Sequence, residues 1–288
     1  MEFGLRMALM GLLGAALLCS GCSRSQMSDQ EYAERMSKEH AQDKPVPGAA
    51  TMPGSTAGIT TSTVDYATVD GHAVEGYLAR PTREGPATAG IIVIHEWWGL
   101  NDNIRTMADK LAGQGYVALA VDLYGGKAAE TPQEAQTLMQ AAMQNKAAAD
   151  SNLLQADQFL TGQEGVTRVG TIGWCFGGGW SLNAAIQLGD KIAATVVYYG
   201  RPVTDPDLLK KIQAPVLGLY GAEDTGIPVD QVRAMEKELK ALGKTVDIHV
   251  YPGASHAFAN PSGTRYQPEA AEDAWKRTLA FFKEYLAG

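Results

Sequence analysis

Six short apolar runs, spaced from residue 90 onward, constrain this chain more than any other feature. They read "GIIVIHE" from Gly90, "YVALAVDLYGG" from Tyr116, "VTRVGTIGW" from Val166, "KIAATVVYYG" from Lys191, "APVLGLYG" from Ala214 and "TVDIHVYPG" from Thr245. In the first two the apolar character is nearly continuous rather than alternating, which suits strands buried on both faces. Helical patterns separate most of them. "NDNIRTMADKLAGQG" places Ile104, Met107, Ala108 and Leu111 on one face and stops at glycine. Thr131 with Glu134 forms a capping-box pattern, and Pro132 suits the first helical position, so a long helical region with room for one break follows. The last helical stretch lines up Trp275, Leu279, Phe282 and Leu286. Strands alternating with helices specify an α/β fold with a mostly parallel central sheet and helices on both faces. An antiparallel pair precedes it, "STVDYATVDG" and "HAVEGYLARP", joined at Asp70-Gly71. The span 62–288 reads as one domain.

The first 61 residues read differently. Arg6 precedes the apolar run Met7–Leu18 and then "CSGC", Cys19–Cys22. A run this short fits a signal-peptide core better than a membrane span. Ser20 and Gly21 before Cys22 resemble the bacterial lipoprotein cleavage signal, with Cys19 standing where Leu is usual. The expectation is a signal peptide over 1–21, lipid on Cys22, and export to the periplasm, with membrane contact only through that lipid. Residues 22–61, rich in Ser, Gln, Ala, Pro and Gly, read as a flexible tether in which "DQEYAERMSKEH" forms at most a transient helix. With Cys19 removed and Cys22 lipidated, Cys175 has no partner for an intrachain disulfide. The net charge is −8 and basic residues do not gather into a stripe, which argues against nucleic acid as a partner.

That lone cysteine sits in "GWCFG", Gly173–Gly177, between a strand and a helix. The pattern is the G-x-S-x-G nucleophile elbow with Cys in place of Ser. A helix N-terminus favours a thiolate, and the Phe176 N–H is placed to hold an oxyanion. Read alone, Cys175 is equally a small buried hydrophobe; a phosphate-cradling reading is weaker, because the Walker Lys-Ser/Thr pair is missing. Asp224 in "LYGAEDTGIP" and His256 in "VYPGASHAFAN" each follow a later strand, giving the order nucleophile, acid, histidine. His256 would take the thiol proton and activate water, and Asp224 would orient it. Glu223 is the weaker acid candidate; His72, His95 and His249 lie in strand patterns and read as structural.

With "IHEWWGLN", "VDLYGG", "GWCFGGG", "YYG", "GAEDTGIP" and "GASHAF" together, residues 62–288 resemble the dienelactone hydrolase family, a cysteine-nucleophile branch of the α/β-hydrolase fold. The resemblance implies that Glu96 pairs with the nucleophilic cysteine and governs its ionisation, and that the Trp97 N–H is the second oxyanion donor. It also marks two departures. Gly126 and Asn260 stand where the family carries arginines that hold a substrate carboxylate, and Lys127 is only a neighbour. Trp98, Trp174, Tyr124 and Lys127 are candidates for lining the substrate pocket, with Trp97 and Phe176 beside them. The expected function is hydrolysis of small esters or lactones through an acyl-cysteine, with no metal or cofactor, by a monomer. A thioesterase or general carboxylesterase is the nearest alternative, and a non-catalytic binding lipoprotein on the same fold is the alternative from another class.

Overall fold

The computed structural model describes Met1 and residues 26–43, 58–82 and 89–287. In chain order its elements are α1 (Asp29–Glu39), β1 (Ile59–Val69), β2 (His72–Pro81), β3 (Ala89–Ile94), α2 (Asp102–Gly113), β4 (Val117–Val121), α3 (Pro132–Gln144), α4 (Lys146–Gly162), β5 (Arg168–Trp174), α5 (Phe176–Leu188), β6 (Ile192–Tyr198), α6 (Pro206–Leu209), β7 (Val216–Gly221), α7 (Val229–Ala241), β8 (Val246–Tyr251) and α8 (Pro268–Leu286). All eight strands form one sheet in the order β1-β2-β4-β3-β5-β6-β7-β8. The six apolar runs are its parallel part, and β1 and β2 are antiparallel. The hairpin turn is Asp70 at φ +50° and Gly71 at φ +79°, two consecutive positive values that match the strands' own twist.

Burial explains the apolar runs. Every residue of β3, β4 and β7 is buried, because helices cover both faces of the sheet. The long helical region is broken once, at Asn145, which ends α3 and whose side chain caps α4 by accepting from the Ala148 N–H. The Thr131 side chain caps α3 by accepting from the Glu134 N–H.

Sheet order also positions the site. β4 lies on one side of β3 and β5 on the other, so the connections leaving β3 and β5 diverge. A crevice opens at the carboxyl ends of strands where connections part in this way. Ile94 pairs with Gly173 across β3 and β5, so Glu96 and Cys175 each lie two residues beyond a paired position.

The tether expected over 22–61 does not describe residues 26–43. There α1 is packed against the domain, with Tyr32, Ala33 and Met36 buried. Its reason lies in its own spacing: Tyr32, Met36 and His40 recur every four residues, which puts all three on one helical face. Burying Met36 alone contributes about 2 kcal/mol. Arg201 fastens the start of the segment through Asp29 and the Met27 carbonyl, and Arg35 donates to the Thr225 carbonyl. β1 also begins before residue 62, at Ile59. The leader, Cys22 and the rest of the expected tether before residue 58 lie outside the described residues.

Candidate active site

Cys175 occupies the turn between β5 and α5 at φ +55°, ψ −116°, a left-handed backbone that costs energy for any residue with a side chain. The Cys175 N–H donates to the Tyr198 carbonyl and its own carbonyl accepts from the Gly179 N–H, which pins the turn. The flanking glycines are steric necessities. A Cβ on Gly173 would sit 2.1 Å from the Gly177 carbonyl oxygen, and one on Gly177 would sit 2.3 Å from the Ile94 carbonyl oxygen. Phe176 is the first residue of α5, so its N–H is among those at the helix N-terminus that have no partner within the helix.

Asp224 and His256 come from loops after adjacent strands, β7 and β8. Asp224 Oδ1 accepts from the Gly226 and Ile227 N–H groups, and its Oδ2 lies 2.7 Å from His256 Nδ1. Glu223 is exposed, so the neighbouring acid is the one turned inward. His256 is fully buried; its Nε2 meets no hydrogen-bond partner of good geometry among the described residues, and the imidazole has a ring nitrogen within 4.8 Å of the Cys175 sulfur.

Burial pushes the Cys175 thiol up, but the charges and hydrogen bonds of His256 and then His40 outweigh it and bring it down to about 6. Burial pushes His256 down, and Asp224 followed by Cys175 overcomes that, leaving it raised well above the ordinary histidine value. Glu96 rises to about 7, first through burial and then through the nearby Cys175 charge.

Glu96 takes its hydrogen bonds from Asn260 Nδ2 at 2.7 Å, Asn103 Nδ2 at 3.3 Å and the Tyr199 hydroxyl at 3.4 Å. None of these comes from Cys175, so its tie to the thiol is electrostatic rather than a direct bond. Asn260, which stands at one of the missing arginine positions, thus holds Glu96.

The space beside Cys175 is a cavity of about 30 Å³, with Glu96, Trp97, Trp98, Asn260 and Arg265 among its walls. That is room for a water or two. Trp97 and Trp98 line it; Phe176 does not, and Tyr124 lies behind Trp97, donating from its hydroxyl to the Trp97 carbonyl. Neither Trp174 nor Lys127 reaches it. The ring of Trp174 packs on Tyr198, 5.4 Å away, along the sheet, and Lys127 is exposed in the turn after Gly125 and Gly126, whose positive φ values carry the chain outward.

Sequence reasoning missed what α1 brings. The His40 imidazole is buried, its Nε2 lies 3.6 Å from the Cys175 sulfur, and the Met36 sulfur lies 3.7 Å from it. His40 Nδ1 is 2.7 Å from Asp43 Oδ2, which Arg265 Nη2 also holds at 2.7 Å. Asp43 with His40 keeps that imidazole raised despite burial, and Cys175 adds to the effect. The signal that was available is the four-residue spacing of Tyr32, Met36 and His40. The side-chain atoms of His40, Cys175 and His256 lie within 4.8 Å of one another, a grouping that a thiophilic cation can use.

A strained strand-to-helix cysteine at the carboxyl end of a mostly parallel, helix-covered sheet, with an acid and a histidine after the next strands, defines an α/β-hydrolase. The profile of the Dienelactone hydrolase family matches residues 74–286, and the chain belongs to that family, whose members act on ester or lactone bonds. It is 37% identical over 224 residues to "Protein usf" of Aquifex pyrophilus, covering 75% of this chain and 96% of that one. A "Putative carboxymethylenebutenolidase" of Saccharolobus solfataricus is 34% identical over 256 residues, covering 74% and 95%. Among solved structures, a "Putative Dienelactone Hydrolase" from Klebsiella pneumoniae superposes with a TM-score of 0.71 at 32% identity, covering 79% of this chain and 99% of that one.

Proposed function

We propose that this protein hydrolyses small esters or lactones through an acyl-cysteine formed on Cys175, with His256 as base and Asp224 as its orienting acid. One observation carries the reading: the buried 2.7 Å contact of Asp224 with His256 Nδ1, which leaves Nε2 as the ring nitrogen available to the thiol, the imidazole lying within 4.8 Å of the sulfur. Asp224 fixes the tautomer in which Nε2 carries a lone pair toward the sulfur. The Phe176 and Trp97 N–H groups are the donors proposed for the oxyanion as the carbonyl carbon becomes tetrahedral. Glu96 adds a nearby negative charge that must be protonated or displaced before a second anion is comfortable there.

The cavity favours a small, polar acyl group. Glu96, Asn103, Asn260 and Ser262 all border it, and the buried Asn103 Oδ1 and Ser262 Oγ have no hydrogen-bond partner among the described residues. Such atoms are satisfied by a polar ligand or water.

Hydrolysis of p-nitrophenyl acetate by the protein and by its Cys175→Ala variant tests the reading. Release of nitrophenol by the parent alone supports it; equal rates, or none in the parent, would sink it. A panel of lactones, alkyl esters and thioesters then ranks the substrate classes. Export and lipidation at Cys22 belong to the same proposal, and loss of labelled-palmitate incorporation in Cys22→Ala is their test.

A further inference from the structure

We propose that α1 completes the active site by supplying a second catalytic imidazole, His40, which holds the Cys175 thiol proton and delivers it to the departing alcohol. The inference rests on the reading of Cys175 as nucleophile and goes beyond it, because α1 lies outside the family's matched region, residues 74–286.

Two imidazoles face the sulfur: His40 Nε2 lies 3.6 Å from it, and His256 also bears on the thiol, more strongly than His40 does. Two matching pairs therefore flank one sulfur. His40 is backed by Asp43 at 2.7 Å, and His256 is backed by Asp224 at 2.7 Å. Their rings stand 5.3 Å apart, nearly perpendicular. His40 is held in place by stacking on Trp97 at 4.7 Å, and Asp43 is held by Arg265. A buried imidazole paired with a half-buried carboxylate is a costly way to anchor a helix that Tyr32 and Met36 already dock. The groups facing His40 are Asp43 on its own segment, and Cys175, His256 and Arg265 from the domain, with the Glu96 charge nearby.

In a single-histidine site, one imidazole must both protonate the leaving group and deprotonate water. Here the two tasks separate. The two imidazoles share one proton across the sulfur; in the reactive arrangement it lies on His40, Cys175 is the thiolate and His256 is neutral. The thiolate sulfur bonds to the ester carbon and the carbonyl electron pair moves to oxygen. On collapse the carbon–oxygen bond of the alcohol breaks, and that oxygen takes the Nε2 proton of His40, leaving a thioester and a neutral His40. His256 then takes a proton from water as the hydroxide oxygen bonds to the thioester carbon. Collapse breaks the carbon–sulfur bond, releases the acid and restores the thiolate. Return of the His256 proton to His40 resets the site.

The test compares ethyl and p-nitrophenyl acetate in the full-length protein, well above the thiol midpoint. Nitrophenolate leaves without a proton, whereas ethoxide needs one. His40→Gln should lower kcat/KM for the ethyl ester about 100-fold, and lower the nitrophenyl rate by at least about tenfold less. The ratio is independent of how much protein folds, and Asp43→Asn, which keeps the ring, should move it in the same direction. His40→Gln should also raise the pH midpoint of Cys175 alkylation by iodoacetamide. Equal losses on both esters, gains on both, or an unmoved alkylation midpoint overturn the proposal. A parent that hydrolyses neither ester overturns the hydrolase reading instead, and the alkylation midpoint still judges His40.

Discussion

Asp224 Oδ2 stands 2.7 Å from His256 Nδ1, and neither side chain has surface open to solvent. Such a contact fixes which ring nitrogen carries the proton, and with it which one is a base. Asp224→Asn keeps the shape of the pair but stabilises the wrong tautomer. The expected loss in kcat for p-nitrophenyl acetate is about 10³- to 10⁴-fold, with KM little changed. Steady-state kinetics at saturating ester decide it.

Because the Cys175 thiol is brought down to about 6, iodoacetamide should alkylate it rapidly at neutral pH. The sign follows from the charged form being the nucleophile: reactivity is full above the midpoint and falls as pH drops through about 6. A profile centred on the free-cysteine value near 8.5 would show that the imidazoles do not hold the thiolate.

Glu96, raised to about 7 by burial and by Cys175, still holds its proton where the thiol ionises near 6. Glu96→Gln keeps a neutral group there and leaves the amide partners Asn103 and Asn260 within reach of its carbonyl. The alkylation midpoint of Cys175 should therefore stay near 6. A midpoint that falls by a unit or more would mean that Glu96 is charged while the thiol titrates.

Much of this arrangement was legible in the sequence, for a physical reason. Strands buried on both faces must be continuously apolar, so β3, β4 and β7 announced themselves, as did Gly173 and Gly177 of "GWCFG", where crowding leaves no room for a Cβ. Residues that follow strands, Asp224 and His256, were legible through chain order. Trp174 and Lys127 were misplaced because adjacency along the chain says nothing about which side of a strand or turn a side chain takes. His40 escaped because its segment is poor in apolar residues. Its helix is specified by three side chains four apart, and by Arg201 and Arg265 waiting far along the chain.

Gly173→Ala tests the crowding argument. With a Cβ 2.1 Å from the Gly177 carbonyl oxygen, the backbone of β5 and α5 must separate. The expected cost is about 3 kcal/mol or more, read as a lower midpoint in urea unfolding. Gly71→Ala, where nothing lies within 4 Å, is the comparison, and its smaller cost reflects only the φ of +79°.

The grouping of His40, Cys175 and His256 predicts inhibition by thiophilic cations. Zinc added to the protein should suppress ester hydrolysis, and chelation should restore it, because one ion would occupy both the sulfur and Nε2. His40→Gln should raise the zinc concentration for half inhibition about tenfold or more, as one of three ligands is lost. Insensitivity to zinc in the parent would refute this.

Arg265 gives α1 a meaning beyond its contact with the thiol. Its Nε donates to the His256 carbonyl at 3.0 Å, while its other nitrogens grip the Glu39 carbonyl and Asp43. One guanidinium therefore staples an appendage found before the family's matched region to the very loop that must keep its histidine still. Whatever loosens α1 also loosens a tie on the histidine loop, so the two imidazoles share one anchor and stand or fall together.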